Sequence, residues 1–202
     1  MTPEQLAQAR DRTLADVVDD GLRVLFCGIN PGLMSAWTGH HFARPGNRFW
    51  PALHASGFTP RRLAPAEQQQ APAFGFGLTN VAGRATARAD ELSAEELVAG
   101  GRVLTAKVLR YRPGWLAVLG VTAYRTAFGE RRAQVGPQER TIGGTRIWVL
   151  PSPSGLNAHW TPAALAAEFA RLRTAAWAGQ EAPADRSPDP ATGAAGHGAR
   201  PA

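Results

Sequence analysis

The stretch LRVLFCGINPG, residues 22–32, decides the fold, because an apolar run of strand character stops there in a turn rich in glycine and proline. Two further runs have the same form: WLAVLG at residues 115–120 and RIWVLP at residues 146–151. Near-continuous apolar strands of this kind are typical of parallel sheets that are covered on both faces. The three runs therefore predict three buried parallel strands.

Helical segments separate these strands. We predict helices over residues 47–56, 93–111, 122–128 and 161–178, and the second begins with a capping-box pattern at Ser93 and Glu96. Strands that alternate with helices indicate an α/β fold. The specific prediction is a three-layer α/β/α sandwich around a central, mainly parallel, short sheet.

The chain divides into three parts by composition. Residues 1–21 are interpreted as an N-terminal helical approach, and residues 22–178 as a single domain with a sizeable core. Residues 179–202 are rich in Ala, Pro and Gly and have almost no large apolar side chain. Such a segment buries too little surface to offset its ordering entropy, so we expect a disordered tail.

Charge and cysteine content limit the function classes. The net charge is +6, and all of the 22 basic residues except Lys107 are arginine. This favours phosphate-rich partners such as nucleic acid, although a GC-rich genome also enriches arginine. The lone Cys27 excludes an intramolecular disulfide and any cysteine-rich metal site. With neither a signal-peptide pattern nor a long apolar stretch, we expect a cytoplasmic protein without membrane association.

The candidate functional residues follow the strands. In open α/β sheets, ligands bind outside the carboxyl ends of the strands. The first strand is followed by GINPG, residues 28–32, and the third by PSPSGLN, residues 151–157. We expect these two rigid loops to meet at one edge of the sheet.

These loops, with GHHFARPGNRFW between them at residues 39–50, resemble the mismatch-specific uracil and thymine DNA glycosylase family of the uracil-DNA glycosylase superfamily. The resemblance covers about residues 14–177 and includes AGGR at residues 99–102 and PSGL at residues 153–156. Family members usually carry asparagine in place of Ser152, and some carry lysine in place of Asn80.

The resemblance implies a monofunctional, monomeric enzyme that needs no cofactor and no metal. Such an enzyme flips uracil out of a mismatch with guanine in double-stranded DNA and hydrolyses the N-glycosidic bond, which leaves an abasic site. Thymine and etheno-cytosine remain open as further substrates. The alternative function is a non-catalytic module that recognises mismatched DNA.

Asn30 occupies the position of the family's catalytic asparagine. Its amide cannot accept a full proton at neutral pH, so we expect it to orient water and not to deprotonate it. Phe42 is expected to stack on the flipped base, and the backbone N–H groups of Ile29 and Phe42 to bind its oxygens. By resemblance, Ser35 lies near C5 of the base. Together with Ile29, Ser35 and Phe42, Asn80 and Ser152 complete the expected base-binding set.

A second set is expected to contact DNA. Leu156 is predicted to enter the duplex as a wedge, with Gly155 and Asn157 near the widowed guanine and Ser154 beside them. Asn47 and Arg48 begin a helix and are candidates for phosphate contact, although Asn47 also suits a helix cap. The structural alternatives are a core position for Phe42 and a hydrophobic staple for Leu156.

Asp90 is the one nearby carboxylate that we consider as a water activator, against the alternative of a solvated or capping acid.

Two other chemistries find little support. A serine hydrolase using Ser152 or Ser154 with His159 has no G-x-S-x-G elbow. Adjacent residues such as His40 and His41 rarely bind one metal ion, and no carboxylate or cysteine stands at ligand spacing.

Overall fold

The computed structural model of the chain describes residues 2–10 and 12–178. The predicted tail, residues 179–202, lies outside the described residues. The helices are α1 (Pro3–Arg10), α2 (Leu33–Thr38), α3 (Phe49–Ala55), α4 (Ala94–Tyr111), α5 (Val121–Phe128) and α6 (Pro162–Trp177), with 3-10 helices at Pro65–Phe74 and Ala89–Glu91. The strands are β1 (Val24–Gly28), β2 (Phe76–Asn80), β3 (Trp115–Leu119), β4 (Gly136–Ile142) and β5 (Thr145–Leu150).

The five strands form one sheet in the order β2-β1-β3-β5-β4. The first four in that order are mutually parallel, and β4 pairs antiparallel with β5. The predicted α/β fold with a mainly parallel sheet is confirmed, and β1, β3 and β5 are the three predicted strands. The sheet also contains β2 and β4, which the apolar runs do not reveal.

Helices cover both faces of the sheet, which makes the predicted three layers. Along β1, Val24 and Phe26 lie in one apolar cluster with residues of α3 and α6. The alternate residues Leu25 and Cys27 lie in a second cluster with residues of α4 and α5. This alternation follows from the period of two along a strand and explains why the strand is apolar throughout.

The AGGR segment at residues 99–102 has a packing role. A Cβ atom on Gly100 would lie 2.3 Å from the Val81 carbonyl oxygen, and one on Gly101 would lie 2.5 Å from the Ala127 carbonyl oxygen. Both distances are shorter than any real Cβ contact. The two glycines therefore allow α4 to pack directly against the backbone that follows β2 and against α5. The predicted cap is present, because the Ser93 side chain accepts a hydrogen bond from the Glu96 N–H.

The N-terminal segment differs from the predicted helical approach. Within its described residues only Pro3–Arg10 is helical, and α1 packs against α2. Val17 then exchanges backbone hydrogen bonds of 2.9 and 2.7 Å with Leu78 of β2. The extended backbone around Val17 covers the outer edge of β2, and Val17 is buried in the core.

Candidate active site

A cleft of about 710 Å³ opens at the carboxyl edge of the parallel strands. Asn80 ends β2, Leu119 ends β3, and the loops after β1 and β5 contribute the rest of this edge, so the two rigid loops meet as expected. The predicted site residues that line the cleft are Ile29, Asn30, Ser35, Phe42, Asn47, Asn80, Ser152, Ser154 and Leu156. Four predicted site residues do not line it: Arg48, Asp90, Gly155 and Asn157.

The Asn30 side chain is fixed in one orientation. Its Nδ2 donates hydrogen bonds to the Arg84 carbonyl oxygen at 2.8 Å and to the Thr86 Oγ1 at 2.7 Å. Both amide protons are therefore used, and Oδ1 makes no hydrogen bond with a described residue. The Asn30 amide is thus not a free donor to a ligand, and its oxygen remains as an acceptor for water.

Thr86 was not predicted from the sequence, yet it connects Asn30 to the rest of the fold. It is 1% exposed, its N–H donates to the Pro31 carbonyl at 3.1 Å, and its hydroxyl donates to the Arg88 carbonyl at 2.7 Å. The Thr86 hydroxyl therefore presents a lone pair to Asn30. Thr86 lies in an irregular loop without a periodic pattern, so the sequence carries no signal for this contact.

Phe42 has unusual backbone geometry. Its φ of 56° lies in the left-handed region, which costs a bulky residue about 1–3 kcal/mol. Its ring stacks on Phe49, with centroids 3.9 Å apart and planes at 25°, and it packs at the margin of the core. The Phe42 N–H donates no hydrogen bond to a described residue. Phe42 thus combines a core contact with a surface that lines the cleft.

The residues on either side of Phe42 hold this loop. The Ser35 Oγ accepts from the Ala43 N–H at 3.1 Å, and Ser35 is buried. The His41 N–H donates to the Gln68 Oε1 at 2.7 Å, and the Trp50 indole donates to the His41 carbonyl at 3.0 Å. The unfavourable φ of Phe42 is therefore maintained by hydrogen bonds from both sides.

His41 is a buried neutral imidazole and not a free acid–base group. Burial lowers the pKa of the His41 imidazole, and the hydrogen bond from Nε2 to the Ala15 carbonyl and the charge of Asp16 only partly offset this effect. The charge of Lys107 lowers the pKa further. Among residues 2–10 and 12–178, no group of three or more His, Cys, Asp or Glu side chains is placed to hold a metal ion.

The Arg48 side chain is bound within the protein. Its guanidinium donates to the carbonyl oxygens of Trp160, of Ser154 at 2.9 Å and of Asn157 at 2.9 Å. Its backbone N–H donates to the Pro153 carbonyl at 2.9 Å. This arginine therefore holds the loop after β5 in place, and its predicted phosphate contact stays a prediction. Asn47 lines the cleft and also accepts from the Phe49 N–H at 2.9 Å, as a capping residue would.

Leu156 projects from the tightest part of the loop after β5. Its side chain is 67% exposed, and its N–H donates to the Ser154 Oγ at 3.3 Å. A Cβ atom on Gly155 would lie 2.7 Å from the Gly46 carbonyl oxygen, so only glycine fits there. The Asn157 Nδ2 donates to the Ser152 carbonyl at 3.0 Å and closes the loop. An exposed leucine on so constrained a loop is not a hydrophobic staple.

Asp90 is not brought to the cleft. Its exposed carboxylate pairs with the Arg88 guanidinium, and this hydrogen-bonded pairing lowers the pKa of the Asp90 carboxyl. The described residues that line the cleft include Arg44 and Arg88 but no Asp or Glu. Among the residues that the structure describes, the cleft is therefore lined by positively charged side chains and by no carboxylate that could act as a general base.

The serine hydrolase alternative finds no support in the geometry. The hydroxyl oxygens of Ser152 and Ser154 accept from backbone N–H groups of their own loop. His159 is exposed and makes no hydrogen bond with either serine.

No helix among the described residues is both long and apolar enough to span a membrane.

The N-terminal segment contributes to the cleft wall, which the sequence did not indicate. Leu6 of α1 and Leu14 line the cleft, and Leu6 is partly exposed at its rim. Arg10 forms an ion pair with Glu91 at 3.2 Å, and Arg12 donates to the Trp37 carbonyl at 3.0 Å. These contacts join α1 and the segment after it to the loop that carries Thr86 and to α2.

Comparison with known proteins agrees with this architecture. The chain is similar to a protein from Methanosarcina acetivorans, solved by NMR in solution, that carries the provisional description of a uracil DNA glycosylase. The two share 20% sequence identity and a TM-score of 0.53 over 80% of this chain and 98% of that one, which is a likeness of fold. Residues 15–177 match the uracil DNA glycosylase superfamily over most of the chain. The chain therefore belongs to the uracil DNA glycosylase superfamily.

Proposed function

We propose that this protein is a DNA glycosylase that hydrolyses the N-glycosidic bond of uracil opposite guanine in double-stranded DNA and leaves an abasic site. The observation that carries the proposal is the fixed Asn30 amide, whose two donors are occupied and whose oxygen remains available in a cleft lined by Phe42. Hydrolysis of this bond needs a water held beside the sugar and an aromatic surface for the flipped base.

No Asp or Glu of the described part of the chain lines the cleft, and this favours a dissociative reaction. The C1′–N1 bond of the nucleotide breaks, the base leaves as an anion, and the sugar becomes oxocarbenium-like. Asn30 Oδ1 accepts a hydrogen bond from the water that adds to C1′, and this water loses its proton to solvent after the addition. The Phe42 N–H, which has no acceptor among the described residues, donates to a base oxygen and stabilises the leaving anion.

The protein acts as a monofunctional enzyme in this proposal. Strand cleavage by a glycosylase requires an amine that forms a Schiff base with the sugar. The chain has one lysine, Lys107, which pairs with Asp16 and donates to the Thr79 hydroxyl at 2.7 Å. Lys107 does not line the cleft.

Selection for guanine on the opposite strand rests on the loop after β5 in this proposal. Leu156 fills the space that the flipped nucleotide leaves, and backbone groups near Gly155 meet the widowed guanine. The Asn157 side chain is occupied by the Ser152 carbonyl and therefore acts by shaping the loop.

The experiment is excision with enzyme in excess over duplexes of about 20 base pairs that differ only in a central G:U or A:U pair. We expect free uracil and an alkali-labile site, with faster release from G:U. Absence of release from both duplexes would contradict the proposed activity. Tight binding of the G:U duplex without release would support the alternative of a recognition module, and equal rates would contradict the guanine selection.

A further inference from the structure

A second groove, of about 420 Å³, lies directly beside the cleft. The groove is lined by the loop at residues 42–47, by the segment at residues 62–65, and by Trp50 and Pro51. Phe42, Arg44, Pro45 and Asn47 line both the groove and the cleft. The groove therefore continues from the cleft on the side of the Phe42 loop.

Two arginines line this groove, and neither has a carboxylate partner within residues 2–10 and 12–178. Arg44 and Arg62 are exposed, and neither guanidinium forms an ion pair or a hydrogen bond with a described residue. Arg61, the neighbour of Arg62, differs, because it donates to both oxygens of Glu67 at 3.1 and 2.7 Å. This pairing lowers the pKa of the Glu67 carboxyl to about 2 and keeps that carboxylate occupied.

The groove has the charge of an anion-binding surface. No Asp or Glu is among the described residues that line it. Arginine presents a planar fork of donors that matches phosphate oxygens. A nucleotide held in the cleft must be followed by its own phosphodiester backbone. This groove is continuous with the cleft and is lined by two arginines that have no ion-pair partner among the described residues.

From these observations we infer that Arg44 and Arg62 bind the phosphate backbone of the uracil-bearing strand, on one flank of the flipped nucleotide. The inference rests on the proposed function, since it takes the occupant of the cleft to be a nucleotide within a DNA strand. Arg44 lies at the junction with the cleft and contacts the nearer phosphate, and Arg62 contacts a phosphate further along the groove.

The test is the salt dependence of DNA binding. The probe is a labelled duplex of about 20 base pairs with 2′-fluoro-deoxyuridine opposite guanine, because the fluorine slows cleavage and allows equilibrium binding. Fluorescence anisotropy gives the affinity between about 50 and 200 mM salt. Each phosphate contact contributes about 0.9 to the slope of log affinity against log salt, and one lost contact weakens binding about five- to tenfold near 100 mM.

We expect Arg44→Gln and Arg62→Gln each to reduce this slope by about one, and the double variant by about two. The matched control is Arg132→Gln. Arg132 is exposed, lies in the loop between α5 and β4, and lines neither the cleft nor the groove. If all three variants change the slope equally, the effect is one of overall charge and the inference is overturned.

Shortened duplexes test where the contact falls. Because the groove leaves the cleft on one side, trimming the DNA to about two base pairs on one side of the uracil removes the effect of Arg62→Gln. Trimming the other side leaves the effect intact. An effect that survives both trims, or is absent from the full duplex, contradicts the inference. If the wild-type protein releases uracil but the variants leave the slope unchanged, the inference about the groove is refuted and the proposed function is not. If the wild-type protein binds the duplex but releases no uracil, the proposed function is refuted.

Discussion

Thr86→Val is the substitution that probes the orientation of Asn30 most selectively. Valine keeps the shape of this buried side chain but removes the oxygen that accepts from the Asn30 Nδ2 at 2.7 Å and the proton given to the Arg88 carbonyl. Each hydrogen bond contributes about 0.5–1.5 kcal/mol, so the free energy of unfolding falls by about 1–3 kcal/mol. Asn30 keeps only its bond to the Arg84 carbonyl and gains freedom to rotate. Since a misplacement of about 1 Å costs on the order of 100-fold in rate, we expect excision to slow by about 10- to 100-fold.

The assay is single-turnover excision of uracil, with DNA affinity measured separately by anisotropy. We expect the rate to fall and the affinity to stay within about twofold of wild type. Thr86→Ser is the matched control, because it keeps the hydroxyl and loses only a methyl group, so most of the rate returns. A valine variant with the wild-type rate would refute the positioning role. If the rate falls equally in the valine and serine variants, the effect is due to packing and not to the hydroxyl group.

Three further predictions concern separate parts of the site. Leu156→Ala should slow excision from duplex DNA on the order of tenfold and from single-stranded DNA much less, because only the duplex has a stacked position to fill; equal losses on both substrates speak against a wedge. Asp90→Asn should leave the single-turnover rate within about twofold of wild type, because this carboxylate is exposed, is paired with Arg88 and does not line the cleft; a loss above about tenfold would contradict this and indicate a catalytic role for Asp90. The pKa of His41 is lowered in the folded protein, so the stability that its neutral form contributes is present above the ordinary histidine pKa of about 6.5 and is lost as the pH falls below it. The melting temperature of wild type should therefore drop more between about pH 7.5 and 5.5 than that of His41→Gln, and parallel curves would contradict this.

The strands could be predicted from the sequence where both of their faces are buried. β1, β3 and β5 are uninterrupted apolar runs because helices cover the sheet on both sides. β2 was not predicted because Gly77 interrupts its apolar run. The structure requires glycine there, since a Cβ atom would lie 2.5 Å from Leu22 and 2.7 Å from the Val17 carbonyl oxygen. β4 was not predicted because it is an edge strand with mostly exposed polar residues, and such a strand has no apolar pattern.

The site was predictable where residues follow strands and not where they depend on loop packing. Asn30 and Ser152 come after β1 and β5, and the parallel sheet brings them to one edge. The role of Arg48 depends on the positions of three carbonyl groups of another loop. The role of Thr86 depends on its hydrogen bond with Asn30, which lies 56 residues away in the sequence. Neither the arginine nor the threonine differs in the sequence from an ordinary surface residue, because both contacts form only when distant loops pack together.

Excision by Asn30→Ala, measured beside its affinity for a G:U duplex, tests the central claim most directly. The variant removes the oxygen that holds water and leaves Phe42, Leu156 and the groove intact. We predict DNA binding within about threefold of wild type and a single-turnover rate at least about tenfold lower, which corresponds to about 1.4 kcal/mol of transition-state stabilisation. Release of uracil by Asn30→Ala at the wild-type rate would contradict the account.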